Sequence, residues 1–141
     1  MCVFCAIAQG EVPASIVFED DISLAFLDHR PLFHGHTLLI PRAHFDTLTD
    51  LPDELVAPLF ARARALAGAV QEGLGAAGSF VAMNNVVSQS VPHFHVHIVP
   101  RRPKDGLRGF FWPRTRYASD EERERVADVL RSSLRAAAGG R

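Results

Sequence analysis

The sequence predicts an α+β protein with an antiparallel five-stranded sheet and two helices. Two observations lead to this prediction. Short apolar or alternating runs outnumber the segments with helical spacing, and the two kinds of segment do not alternate along the chain. A doubly wound parallel sheet requires strands and helices in alternation, so the antiparallel arrangement is favoured.

Five short runs bounded by turn residues are predicted as strands, namely residues 15–20, 22–27, 36–41, 79–84 and 92–99. The first two are joined tightly through Asp20-Asp21, which predicts a hairpin. Proline residues at positions 92 and 100 bracket the last run and mark its ends.

Two segments have helical spacing. Leucines, a valine and alanines recur at helical intervals from about residue 50 to residue 72, and glycines at 73 and 75 end the run. Pro58 lies inside this pattern, so the helix either kinks there or begins later than residue 50. The stretch "SDEE" at 119–122 is a capping box that begins a final helix running to about residue 137.

Length and composition limit the possible classes of protein. The 141 residues suit one domain, 1–141, whose segment 101–141 holds a basic stretch and the final helix. A net charge of −1 gives no general attraction to nucleic acid or an anionic membrane. No apolar run approaches the roughly 20 residues that span a bilayer, and the N-terminus lacks signal-peptide features. A cytoplasmic protein is therefore expected.

Three histidines, separated by single apolar residues, stand in the segment "VPHFHVHIVP": His93, His95 and His97. On a strand they share one face, with neighbouring Cα atoms about 6.5–7 Å apart. Such a face can hold a metal, since neutral imidazole is a common zinc ligand. Alternatively, one imidazole is a nucleophile and its neighbours position a substrate, because a ring with the ordinary pKa of about 6.5 is mostly neutral at pH 7. Spacing alone leaves both interpretations open.

Four blocks of sequence carry a resemblance to the histidine triad family of nucleotide hydrolases and transferases. "HFHVHIV" matches the family signature, and the blocks cover residues 2–21, 25–28, 35–44 and 89–101. The chain is similar to the bacterial-type, zinc-containing branch that begins with Cys-x-x-Cys. The resemblance implies the histidine triad fold, with sheets paired in a homodimer. It also implies a nucleotide-binding hydrolase that cleaves nucleoside phosphoramidates or related nucleoside phosphate derivatives through a covalent nucleotidyl-histidine intermediate.

The resemblance assigns catalytic roles to individual residues. His95 matches the nucleophile that attacks the α-phosphorus. His97 and His36 match histidines beside the phosphate oxygens, and Gln89 and Ser90 match polar contacts on the phosphate side. Ser90 is also expected to help protonate the leaving group.

The resemblance also implies a nucleotide-binding pocket. Asp28 matches a carboxylate that accepts hydrogen bonds from both ribose hydroxyls, and Asn84 matches a ribose and phosphate contact. An apolar slot for the base matches five residues, for which plain core packing is the alternative: Val3, Phe4, Ile7, Phe26 and Leu38. His29 replaces an aliphatic residue of this slot, and the segment 85–88 is shorter than the usual glycine-containing loop. Both departures bear on substrate preference, and a modest preference for purine nucleotides is expected.

The N-terminal "CVFC" is compatible with a redox pair, half of a zinc site or two buried thiols. A redox motif of this kind normally follows a strand, whereas this one lies at the start of the sequence. The resemblance supplies two further ligands, so that zinc is expected on four side chains: Cys2, Cys5, His44 and His93. Four protein ligands with no open position make a structural site. His93 then holds the metal while His95 performs the chemistry.

Two other functions remain as alternatives, a dinucleoside polyphosphate hydrolase and a non-catalytic zinc and nucleotide-binding module. Residues 101–116 contain six Lys or Arg residues and one Asp. This basic stretch is compatible with binding a phosphate tail or with a solvated face, and weakly with nucleic acid. The apolar "GFFWP" at 109–113 favours a homodimer, because such a run is costly to leave exposed.

Overall fold

A computed structural model describes residues 1–107 and 114–139. The chain divides into two compact units, Met1–Asp105 and Gly106–Arg141. The "GFFWP" stretch and part of the basic segment lie outside the described residues. Within the described residues, no helix has the length and apolar character needed to cross a membrane.

The first unit contains five strands and two α-helices, listed in chain order: α1 (Val3–Ala8), β1 (Ile16–Glu19), β2 (Ser23–Leu27), β3 (Thr37–Pro41), α2 (Asp53–Leu74), β4 (Gly78–Ala82) and β5 (Val96–Arg101). A 3₁₀ turn, Leu48–Asp50, precedes α2. The strands form one antiparallel sheet in the order β1-β2-β3-β5-β4. The predicted α+β class and five-stranded antiparallel sheet are confirmed.

The predicted number of helices is wrong, because α1 and the 3₁₀ turn were not predicted. Helix α1 has only six residues, which is too short for helical periodicity to show in the sequence. Cys2 is its N-cap residue, and the Cys2 sulfur accepts a hydrogen bond from the Cys5 N–H at 3.5 Å. Helix α2 runs through Pro58 and begins at Asp53, which is later than the expected start.

The two faces of the sheet are covered by different helices. On one face, Leu59, Ala63, Leu66 and Val70 of α2 pack against alternate strand residues that include Leu39, Val96 and Ile98. On the other face, Phe4 of α1 packs against Leu24, Phe26, Leu38 and Ile40. Leu38 pairs with His97, so the His97 side chain lies on the α1 face of the sheet.

Strand β5 begins at Val96, and the prediction of a strand over residues 92–99 is therefore wrong at its start. His93 and His95 lie in the segment that leads into the strand. The Phe94 N–H donates to the Phe45 carbonyl at 2.6 Å, which takes this residue out of the sheet ladder. Both His93 and His95 are nevertheless buried.

The second unit contains α3, Asp120–Gly139. The Ser119 hydroxyl accepts a hydrogen bond from the Glu122 N–H at 3.1 Å, as the capping-box prediction requires. The Glu122 carboxylate accepts from the Ala118 N–H, one residue before the expected donor. The predicted final helix is confirmed.

Candidate active site and candidate metal centre

An open pocket of about 910 Å³ lies beside α1. Its wall includes most of the residues predicted to bind a nucleotide or act on it: Val3, Phe4, Ile7, Phe26, Asp28, His29, Leu38, Ser90, His95 and His97. The apolar members surround one part of the pocket, while Asp28, Ser90 and the three histidines supply polar groups. This combination of an apolar slot and a few polar groups is typical of a small-molecule site.

His95 is held in one tautomer by the backbone. Its Nδ1 atom lies 2.7 Å from the His93 carbonyl oxygen, and a carbonyl can only accept, so Nδ1 carries the hydrogen. In the neutral ring, Nε2 then bears a lone pair. Phe4 packs edge-on against the His95 ring with centroids 5.1 Å apart, which restricts the ring orientation.

Two successive hydrogen bonds determine the tautomers of His36 and His97. The Leu32 N–H donates to His36 Nδ1 at 3.1 Å, so the neutral His36 ring carries its hydrogen on Nε2. His36 Nε2 lies 2.9 Å from His97 Nδ1 and donates to it. His97 therefore keeps its own hydrogen on Nε2, and this residue lines the pocket as a hydrogen-bond donor.

His36 and His97 are both neutral near pH 7. Burial, together with the nearby His95 and His36, lowers the pKa of His97 to about 4. Burial also lowers the pKa of His36, although the Asp28 carboxylate opposes this shift. The neutral rings agree with the hydrogen-bond directions, which require one donor and one acceptor nitrogen on each.

Asp28 lies at the end of β2 and lines the pocket. One carboxylate oxygen accepts from the Arg30 N–H at 2.9 Å, and the other lies 3.7 Å from His36 Nε2. Asp28, His36 and His97 bring three potential metal ligands together. However, His36 Nδ1 already accepts from Leu32, so Nε2 carries the hydrogen and cannot ligate a metal. This group is better suited to hydrogen bonding than to ligation.

Three predicted residues do not belong to the pocket lining among the described residues: His36, Asn84 and Gln89. His36 is behind His97, to which it donates. The Gln89 side chain donates to the Asp46 carbonyl at 2.6 Å and accepts from the Val86 N–H at 3.1 Å. Asn84 is exposed beyond the end of β4. The assigned roles of Asn84 and Gln89 stay predictions.

The pocket also includes residues that the sequence did not indicate. Residues 12–15 and Leu27 line it from the side of β1, and Arg30 and Val91 complete the wall. Residues 12–15 belong to a connecting segment without a chemical motif, so only the fold reveals their position. Arg30 is different, because its position two residues after Asp28 in the sequence could have indicated that it lies near the pocket.

Cys2, Cys5, His44 and His93 form a compact cluster, in which all four potential ligand atoms lie within 4.8 Å of one another. His93 Nδ1 lies 3.5 Å from the Cys2 sulfur and 3.6 Å from the Cys5 sulfur. His44 Nδ1 lies 3.3 Å from the Cys5 sulfur. A tetrahedral ion with bonds of about 2.3 Å to sulfur and 2.0–2.1 Å to nitrogen has S···N edges of about 3.5 Å, so the cluster fits zinc.

Each histidine of the cluster is oriented by its other nitrogen. His93 Nε2 donates to the Pro41 carbonyl at 2.9 Å, and His44 Nε2 donates to the Asp46 carboxylate at 2.7 Å. Both Nδ1 lone pairs therefore face the sulfurs, as metal ligation requires. Burial lowers the pKa of His93, which keeps this ring neutral. Burial and the adjacent Cys2 raise the pKa of the Cys5 thiol, so a bound cation would favour its ionised form.

The fold and the site define an α+β protein with an apolar pocket that contains several histidines, and comparison with known proteins identifies its family. Residues 9–104 match the model of the HIT domain. The chain belongs to this family, which confirms the resemblance to histidine triad proteins.

Two relatives have named activities. Adenosine 5'-monophosphoramidase hnt1 of Schizosaccharomyces pombe is 32% identical over 136 residues, which are 95% of this chain and 98% of that protein. Adenylylsulfatase HINT3 of Arabidopsis thaliana is 38% identical over 108 residues, covering 75% of this chain. The match spans only 55% of that protein's length.

Solved structures agree with the fold. A HIT family protein from Bacillus anthracis has a TM-score of 0.85 and 32% identity, covering 94% of this chain and 96% of that chain. A zinc-bound histidine triad family protein from Mycobacterium smegmatis has a TM-score of 0.72 and 42% identity, covering 96% of each chain.

Proposed function

We propose that this protein is a nucleotide-binding hydrolase that cleaves nucleoside phosphoramidates or related nucleoside phosphate derivatives through a covalent intermediate on His95. The tautomer of His95 is the observation that carries this proposal. Its Nδ1–H bond to the His93 carbonyl leaves the Nε2 lone pair for attack on phosphorus. The adenosine 5'-monophosphoramidase and the adenylylsulfatase among the relatives support the substrate class.

The pocket provides a place for each part of a nucleotide. The base fits the apolar slot that includes Phe4, Phe26 and Leu38, where burial of a flat ring supplies the binding free energy. The Asp28 carboxylate accepts hydrogen bonds from the ribose hydroxyls. The phosphate then reaches the end of the pocket that His95, His97 and Ser90 line.

The reaction proceeds in two displacements. The His95 Nε2 lone pair attacks the phosphorus, the bond between phosphorus and the leaving nitrogen breaks, and the Ser90 hydroxyl helps to pass a proton from solvent to the leaving amine. Water then attacks the same phosphorus and releases one proton to solvent, the bond to Nε2 breaks, and the nucleoside monophosphate leaves. His97 Nε2–H donates to a phosphoryl oxygen in both steps, where charge develops, and His36 keeps that donor in place.

Turnover of adenosine 5'-phosphoramidate tests the proposal. The wild type is expected to hydrolyse it, and rapid quenching should reveal a mass increase of one nucleoside monophosphate on the peptide containing His95. His95→Ala should abolish turnover while retaining nucleotide binding. His97→Ala should slow turnover without abolishing it, because it removes a donor to the phosphoryl oxygen and leaves the nucleophile in place. Full activity in folded His95→Ala, or an adduct on another peptide, would contradict the assignment.

The four-residue cluster is proposed to hold a structural zinc ion. Cys2, Cys5, His44 and His93 would supply all four ligands, which leaves no open position for a substrate. When bound, the ion cross-links the N-terminal segment to the residues around β3 and β5. The zinc-bound relative from Mycobacterium smegmatis supports the choice of metal. Metal analysis of protein purified without chelator should find one zinc per chain, and its absence would contradict the proposal.

A further inference from the structure

We propose that Asp46 is a positioning residue of the metal cluster, acting through His44. The proposal rests on the zinc site described above. Asp46 lies two residues after His44, and its carboxylate oxygen accepts the His44 Nε2–H at 2.7 Å. On the opposite side of the same ring, Nδ1 lies 3.3 Å from the Cys5 sulfur.

The carboxylate determines which nitrogen of His44 is available to a metal. A neutral imidazole carries one hydrogen, and the Asp46 acceptor holds it on Nε2 so that Nδ1 keeps its lone pair. The negative charge also makes Nδ1 a stronger donor toward a cation. Loss of such an outer partner commonly weakens metal binding by about 10–100-fold.

Because His44 and Asp46 are exposed, an effect of Asp46 on metal binding can be distinguished from an effect on folding. The side chains of His44 and Asp46 are 41% and 60% exposed. Contacts between side chains this exposed contribute little to the stability of a fold. Substitution of Asp46 is therefore expected to weaken metal binding much more than it disturbs the folded chain. The Asp46 carbonyl, which accepts the Gln89 bond, belongs to the backbone and persists in a side-chain variant.

The wild type has a second exposed carboxylate that makes a suitable control. Glu19 is also 60% exposed, and its carboxylate lies 2.8 Å from Arg42 Nη2. It is neither a cluster residue nor a partner of one. Glu19→Ala therefore removes an equivalent surface ion pair without altering the metal ligands.

Zinc affinity of the full chain tests the proposal, measured by competition with a chromophoric chelator. Asp46→Ala should bind zinc about 10–100-fold more weakly than the wild type. Asp46→Asn should recover part of this loss, because its amide oxygen still accepts from Nε2–H but lacks the charge. Glu19→Ala should match the wild type.

Zinc affinity of Asp46→Ala within twofold of the wild type would overturn the proposal, as would an equal loss in Glu19→Ala. Absence of zinc binding by the wild type would overturn it together with the zinc site. Because no nucleotide enters this measurement, its outcome is distinct from the outcome of the phosphoramidate assay.

Discussion

Three histidines of one short segment occupy different chemical environments, because a different set of groups contacts each ring. His95 donates to a carbonyl, His97 accepts from another histidine, and His93 directs Nδ1 toward two sulfurs. The sequence pattern located all three residues. It could not predict their tautomers, because these depend on Leu32, on Pro41 and on the backbone of residue 93 itself, and side-chain spacing does not report such contacts.

The lowered pKa of His97 predicts that stability depends on pH. Below about pH 6.5 the unfolded chain binds a proton on this residue, whereas the folded chain binds it only near pH 4. The free energy of unfolding should therefore fall as the pH is lowered from 7 toward 4, and this residue contributes at most about 1.4 kcal/mol per pH unit.

Denaturant unfolding at a series of pH values measures this contribution. His97→Asn cannot titrate in this range, so its stability should fall less steeply than that of the wild type between pH 7 and pH 5. Titrating groups that do not contact His97 act in both proteins and cancel in the comparison. Equal slopes for the two proteins would contradict the assignment of a low pKa to His97.

Base selectivity should be loose, because apolar contacts dominate the slot. Such contacts supply about 1–3 kcal/mol of discrimination, so turnover of matched AMP and GMP derivatives should differ by less than about 200-fold. His29 lies at the pocket with its side chain 90% exposed. His29→Ile should therefore change the AMP-to-GMP ratio by less than about tenfold. A change of more than about tenfold in the AMP-to-GMP ratio of kcat/KM would show that the His29 ring contacts the base directly.

At the scale of elements, the sequence predicted every strand of the sheet and both long helices. Period-two alternation and helical spacing extend over enough residues in these elements to be recognised. Helix α1 and the start of β5 were not predictable in the same way. Packing of Phe4 against the sheet stabilises α1, and the hydrogen bond from the Phe94 N–H to the Phe45 carbonyl makes β5 begin later than expected. Both depend on contacts between residues far apart in the sequence.

The short segment 85–88 contains backbone strain that predicts a stabilising substitution. Val86 has a φ of +67°, and the Val87 N–H donates to the Asn85 carbonyl across it at 2.8 Å. This left-handed conformation costs a β-branched residue about 1–2 kcal/mol, and glycine avoids that cost. Since glycine loses about 0.5–1 kcal/mol of backbone entropy, Val86→Gly should stabilise the protein by roughly 0.5–1 kcal/mol.

The neighbouring residue provides the control. Val87 is as exposed as Val86, at 78% against 76%, but it does not have a positive φ. Val87→Gly should therefore destabilise the protein by about 0.5–1 kcal/mol. Thermal unfolding of both variants measures the difference, and destabilisation of equal size in both would show that Val86 is not strained.

At the scale of the whole molecule, the two faces of the sheet contact different parts of the structure. Helix α2 covers one face and builds the larger apolar cluster, while α1, the pocket and the metal cluster lie with the other. Cys2 and Cys5 flank the pocket residues Val3 and Phe4 in the chain, so the metal cluster and the base slot share the same short helix. Binding of a metal is thus expected to stabilise the wall of the nucleotide pocket.

The apolar surface around β4, which is an edge strand among the described residues, predicts a homodimer. Val81 pairs with Ile98, so its side chain lies on the face that α2 covers, and it is 42% exposed. Helix α2 also exposes Val56 and Phe60, one turn apart. Exposed apolar side chains on an edge strand and on the helix beside it are suited to packing against a second copy.

Light scattering at micromolar concentration should give twice the 15.5 kDa mass of one chain. Val81→Lys places a charge at the β4 edge and should shift the protein toward the monomer, because a buried unpaired charge opposes association. Val17→Lys, on the other edge strand β1, carries the same charge at a similarly exposed valine and should leave the mass unchanged. A monomeric wild type would contradict the homodimer. A monomer produced only by Val17→Lys would move the interface to the β1 edge, because only the strand that meets its partner is sensitive to the added charge.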